Sequence, residues 1–134
     1  GMQDQFHTFN MFDCQAWYAR DVIMGKINIP DDSEVEKNIN DWVAKEEKLE
    51  DPIQMIDFQT EYTKDLHDLS DYPKIDFELI RVHFKNWEHH KEEDIMTYRN
   101  KSFSSPVTGT EAPLHHTPWA EAMDDSMETF LKQK

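Results

Sequence analysis

The 134-residue chain carries 28 Asp and Glu against 14 Lys and Arg, a formal charge of -14 at pH 7. That balance speaks against a phosphate backbone or an anionic membrane surface as partner, since both are gripped by clustered cations. One cysteine, Cys14, excludes an internal disulfide and speaks against a cysteine-built zinc site, while 12% aromatic residues are too many for a disordered acidic tail.

The length fits one modest domain with a real core. No apolar run nears the roughly 18 residues of a bilayer span, and no signal peptide opens the sequence, so a cytoplasmic location is expected. The three glycines, Gly1, Gly25 and Gly109, are too far apart to write a G-x-G-x-x-G or a P-loop. The chain therefore has no phosphate cradle of its own.

Residues 1–9 mix polar and aromatic side chains and suit an extended lead-in. Asn10 is the expected N-cap of a first helix, carried by Ala16, Trp17, Ala19, Val22 and Ile23 and ended by Gly25. Ser33 and Glu36 form a capping-box pattern for a second, with Val35, Ile39, Trp42, Val43 and Leu49 at helical spacing. Asp51-Pro52 opens a third, whose stripe of Ile56, Tyr62, Leu66 and Leu69 is interrupted by Gln59 and Thr63. After the break at Asp71-Tyr72-Pro73, Asp76 caps the longest segment, through Phe77, Ile80, Phe84, Trp87, Ile95 and Tyr98. Residues 100–116, with Pro106, Gly109 and Pro113, read as a long loop of the kind that is functional or mobile. Thr117-Pro118 starts a last helix with Trp119, Met123, Met127, Phe130 and Leu131 on one face. The expected fold is all-α, about five helices.

Few residues suggest chemistry. His83, His89 and His90 share the fourth helix, and His89 with Glu93 and His90 with Asp94 are spaced to face one side. The chain contains no Glu-x-x-His for a di-iron bundle, and surface or ion-paired histidine is the simpler account. No bound metal is expected. Cys14 lies in an apolar stretch without an adjacent base and reads as a buried thiol. Trp87 stands where an apolar stripe meets seven polar residues, which suits either an interface anchor or a pocket wall. Gln3, Asp4, Gln5, Thr8 and Asn10 gather polar groups just before a helix N-terminus, a place suited to an anionic or electron-rich ligand. Taken by itself, that cluster is more simply a solvated arm.

Longer blocks carry a resemblance. GMQDQFHTFNMFDCQAWYARDVIMGKI, DFQTEYTKDLHDLSDYPKID, WEHHKEEDIMTYRNKSF and VTGTEAPLHHTPWAEAMDDSMETFL resemble, in order, the C-terminal third of bacterial flavin-containing monooxygenases, in their trimethylamine monooxygenase branch. Residues 31–50 diverge most. Cys14 stands where alanine is common in that family and Glu111 where methionine is common. The resemblance implies two-domain enzymes that use FAD, NADPH and oxygen to oxygenate amines such as trimethylamine, with both glycine fingerprints upstream of this region. It implies that residues 1–25 close an FAD-binding domain and that 26–134 form a C-terminal helical region. Asp4, Gln5 and Thr8 would then be flavin contacts in the intact enzyme, and Trp87 would line the substrate pocket. The chain by itself would hold neither FAD nor NADP(H) and would be inert. The expected partners are the absent FAD and NADPH domains and further copies of the chain, with no nucleic acid and no membrane. A small all-α interaction protein derived from such an enzyme is the alternative.

Overall fold

The computed structural model describes residues 6–111. Four α-helices follow one another: α1 (Thr8–Ile23), α2 (Asp32–Glu46), α3 (Pro52–Asp68) and α4 (Phe77–Glu93). A single 3-10 turn, Tyr98–Asn100, comes next. Among the described residues there is no strand, only an isolated antiparallel bridge between Ser104 and Glu111. The expected helix from Thr117 lies outside the described residues, so the count here is four α-helices, all on the expected segments.

Local chemistry explains two helix starts as anticipated. The Asp51 carboxylate accepts the Gln54 N–H at 2.8 Å, with Pro52 in the first turn, and the Asp76 carboxylate accepts that of Leu79 at 2.9 Å. Two starts differ. In α2 the cap is Asp31, which accepts from Glu34 N–H at 2.9 Å and from the Ser33 hydroxyl at 2.6 Å, so Ser33 serves the cap instead of being it. A carboxylate just after Pro30 competes better for these donors than a hydroxyl two residues on. In α1 the cap position is His7, with no side-chain capping bond, and Asn10 sits inside the first turn. Tertiary bonds fix this start, as the site geometry shows below.

Helix ends follow similar logic. Gly25 takes φ +70°, and the Gly25 and Lys26 N–H groups return to the carbonyls of Val22 and Asp21 at 3.0 and 2.8 Å. This is the Schellman arrangement, which favours glycine because the left-handed region strains an L side chain. The fourth helix stops at Glu93, short of Ile95 and Tyr98. The Asp94 carboxylate turns onto Met96 N–H at 2.9 Å and the Thr97 hydroxyl at 2.6 Å, starting a new turn.

The third helix is the centre, packed by α1 on one side and α4 on the other. Met11, Cys14, Ile56, Phe58, Phe77, Ile80 and Tyr98 are buried, and so are the polar Gln59, Thr60 and Thr63. The interruptions in the α3 stripe are thus core residues. Thr60 and Thr63 satisfy their hydroxyls on the carbonyls of Ile56 and Gln59, at 2.7 and 2.8 Å. The second helix contributes no buried residue. It reaches α3 through Trp42, whose ring meets Phe58 and Tyr62 edge-on at 5.3 Å each, and through Lys45–Glu61 at 2.6 Å.

The α1 C-terminus is tied to the loop after α3 by charge. The Asp21 carboxylate is almost fully buried and lies 2.7 Å from Arg20 and 3.3 Å from Lys26; both cations also reach Asp71. Arg20 additionally covers the Trp17 ring at 3.9 Å. Removing the buried charge leaves two cations facing a neutral amide. Asp21→Asn is expected to cost roughly 2 kcal/mol, below the range for a fully buried pair because Arg20 and Lys26 stay partly solvated; urea denaturation of the two proteins checks this.

Candidate functional site

The N-terminus of α1 is held by α3. The Phe6 N–H donates to the Gln59 side-chain carbonyl at 3.3 Å. The Thr60 hydroxyl already donates to Ile56, so it accepts from His7 Nε2 at 3.0 Å, which fixes the Nε2–H tautomer. Phe84 of α4 closes the knot, its ring 5.7 Å from Phe6 and 5.0 Å from His7. The two hydrogen bonds to α3 bridge 53 positions in sequence. Gln59 and Thr60 were not recognisable from sequence as anchors of α1; the polar break at Gln59 in an apolar stripe was the available signal.

Two buried polar atoms in this knot, His7 Nδ1 and Gln59 Nε2, have no partner among the described residues. Burial pushes the His7 imidazole down to about 4, from 6.5. Thr8 opens α1 directly after it, half-buried. Asp4 and Gln5 lie outside the described residues.

Beside this helix start lies a cavity of about 530 Å³. Phe6 and Asn10 form one wall, Ile80, His83, Phe84 and Trp87 of α4 the second, and residues 103–106 the third. Trp87 is therefore a wall of a pocket. Its ring is braced from behind by Tyr98, edge-on at 5.4 Å, and by the Lys91 ammonium at 4.8 Å. Lys91 is in turn paired with the buried Glu88 at 2.6 Å. In a chain one-fifth acidic, none of the described lining residues is a carboxylate.

Other candidates separate. His89 faces Glu93 at 3.4 Å on an exposed surface, while the Asp94 carboxylate is engaged in its own turn, away from His90. Among the described residues no three potential metal ligands converge; His115 and His116 lie outside them. Cys14 is buried, and burial, helped by the Asp13 charge, raises its thiol to about 11. No described helix is long and apolar enough to cross a membrane.

Among the described residues, the helices set an aromatic cavity without a carboxylate beside a helix start that the His7 side chain does not cap, and comparison with relatives gives the class of protein to which this segment belongs. No protein-family model matches the chain. It is 78% identical, over its whole length, to the trimethylamine monooxygenase of Pelagibacter sp. strain HTCC7211 and 51% identical over 98% of its length to that of Roseovarius sp. strain 217. The crystal structure of Tmm from the same Pelagibacter strain superposes with a TM-score of 0.85 at 79% identity, over 97% of this chain and 30% of that one. The chain spans 30% of the length of these relatives. It belongs to the trimethylamine monooxygenase family, as a segment of such an enzyme.

The buried His7 makes stability depend on pH. The unfolded chain takes up this proton near 6.5 and the folded chain only near 4. Stability from this group is intact above 6.5, falls by up to about 1.4 kcal/mol per pH unit on acidification towards 4, and is lost below that. Over this window His7→Gln is expected to show a flatter pH–stability curve than the parent, measured by urea denaturation at half-unit steps.

Proposed function

We propose that this chain supplies one wall of the active site of a flavin-dependent amine monooxygenase, with trimethylamine or a similar small tertiary amine as substrate. The supporting observation is a juxtaposition: the α1 start and the Trp87 cavity share Phe6 and Asn10, so a group lying along the helix N-terminus would border the cavity.

The α1 start suits a flavin. The His7 side chain at its cap position makes no capping bond, and the positive end of a 16-residue helix favours an electron-rich ring edge. Thr8, with Asp4 and Gln5 ahead of it, would hold that edge. When bound, the flavin would supply the activated oxygen, with NADPH as reductant. Neither nucleotide can be cradled by glycine turns of this chain, so the rest of the family's sequence, as its FAD and NADPH domains, would hold both, and residues 1–25 would close the first of them.

The cavity's own residues would suit a small amine. Phe6, Phe84, Trp87 and Phe103 offer apolar faces to N-methyl groups. With no carboxylate among the described wall residues, a protonated ammonium there would lose hydration and gain no counter-charge from them. The neutral amine is therefore favoured, with its nitrogen lone pair free to attack. Trp87 packs against the substrate and excludes water; it moves no proton.

Association with further copies of the chain belongs to the same proposal. Ile23, Ile29, Ile39 and Leu69 are more than half exposed along a groove of about 740 Å³ between α1 and α2, surface that association normally covers. Light scattering at high concentration is expected to give a dimer or larger species; a monomer contradicts it.

The functional test grafts this chain in place of the matching segment of the Pelagibacter sp. strain HTCC7211 relative. The graft is expected to oxidise trimethylamine with NADPH, and Trp87→Ala to raise KM for the amine about tenfold. An unchanged KM removes Trp87 from the pocket. The 134-residue chain alone is expected to stay colourless with FAD; stoichiometric flavin on it would overturn the reading.

A further inference from the structure

The third wall of the cavity, residues 103–106, is a backbone strap laid across α4, and its fastenings are specific. His83 Nε2 donates to the Ser104 carbonyl at 2.8 Å. The Phe103 ring lies against both His83 and His90, with centroids 5.1 and 6.2 Å away. The Asp76 N–H reaches the Pro106 carbonyl at 3.4 Å. Beyond the strap the chain doubles back: Ser105 N–H donates to Thr110 at 2.7 Å and Gly109 N–H to Ser105 at 2.9 Å. Gly109 makes this reversal at φ +70°.

The strap's own residues are small or cyclic at 104–106, so they carry little packing of their own. Its position over the cavity depends on α4, and the only side-chain hydrogen bond from α4 to a strap carbonyl among the described residues is that of His83. Phe103, in contact with the same histidine, is the large side chain that the strap brings to the wall facing Trp87's cavity.

We propose that His83 is a positioning residue that fastens the 103–106 strap over the Trp87 cavity, and that Phe103 limits the size of the amine substituents the cavity admits. The size limit rests on reading the cavity as the substrate pocket; the fastening does not.

The two parts are tested separately. On the 134-residue chain, amide hydrogen exchange at Ser105 and Gly109 is expected to quicken about five- to tenfold in His83→Ala, the factor one hydrogen bond corresponds to. His83→Gln, whose amide can still donate to Ser104, is expected to restore parental rates, and α1 and α3 amides to stay unchanged in both. Unchanged exchange at Ser105 and Gly109 in His83→Ala overturns the fastening, as does failure of His83→Gln to restore it. In the grafted enzyme, the ratio of KM for triethylamine to KM for trimethylamine is expected to shrink at least about threefold in Phe103→Ala and in His83→Ala, and to recover in His83→Gln. An unchanged ratio overturns the size limit. If Trp87→Ala leaves both KM values unaltered, the substrate reading of the cavity fails and the size limit with it, while the exchange rates still decide the fastening.

Discussion

The polar seam between α3 and the lead-in residues determines where everything else can sit. Gln59 and Thr60 occupy the centre of the core, where a leucine or valine would bury more apolar surface. They hold Phe6 and His7 by one hydrogen bond each. A single such bond contributes about 1 kcal/mol net, but leaving its partner buried and unmatched costs more. The seam thus selects one register of α1 against α3. That register places the α1 N-terminus against Phe84, and through Phe84 against the cavity face of α4.

The family relation gives that register its meaning. The chain spans 30% of the length of its relatives, and on the proposed reading the α1 start and the cavity would both be half-sites, one for an electron-rich ring and one for a small apolar amine. Charge sorting points the same way. Apart from the buried Asp21 and Glu88, the described acidic residues are half-buried or exposed and cap helices at Asp31, Asp51 and Asp76, while the described cavity walls hold none.

Features governed by neighbours in sequence were legible before the structure. Asp51, Asp76 and the Gly25 stop work through bonds that close within three to five residues, and each was recognised. Trp87 was recognisable as unusual because its polar flank is local, although choosing between anchor and pocket wall required its spatial neighbours. The start of α1 was misplaced at Asn10 because its true anchors lie 53 positions away. The α4 segment was read too long because the Asp94 turn competes with helix continuation only once the Tyr98 ring has a place against Trp87. Nothing in sequence marked Phe103, whose role appears only when the strap folds back on His83 and His90. The family resemblance supplied Thr8 and Trp87 as site residues; they line two different cavities, which share Phe6 and Asn10.

The coupling between His7 and Thr60 tests the seam most directly. A double-mutant cycle with His7→Phe and Thr60→Val, read by urea denaturation at pH 7, isolates their pairwise contribution from the cost of each change. A coupling of about 1 kcal/mol or more is the expected result. A coupling near zero would mean that α3 does not hold the start of α1, and the shared site of helix terminus and cavity would lose its physical basis.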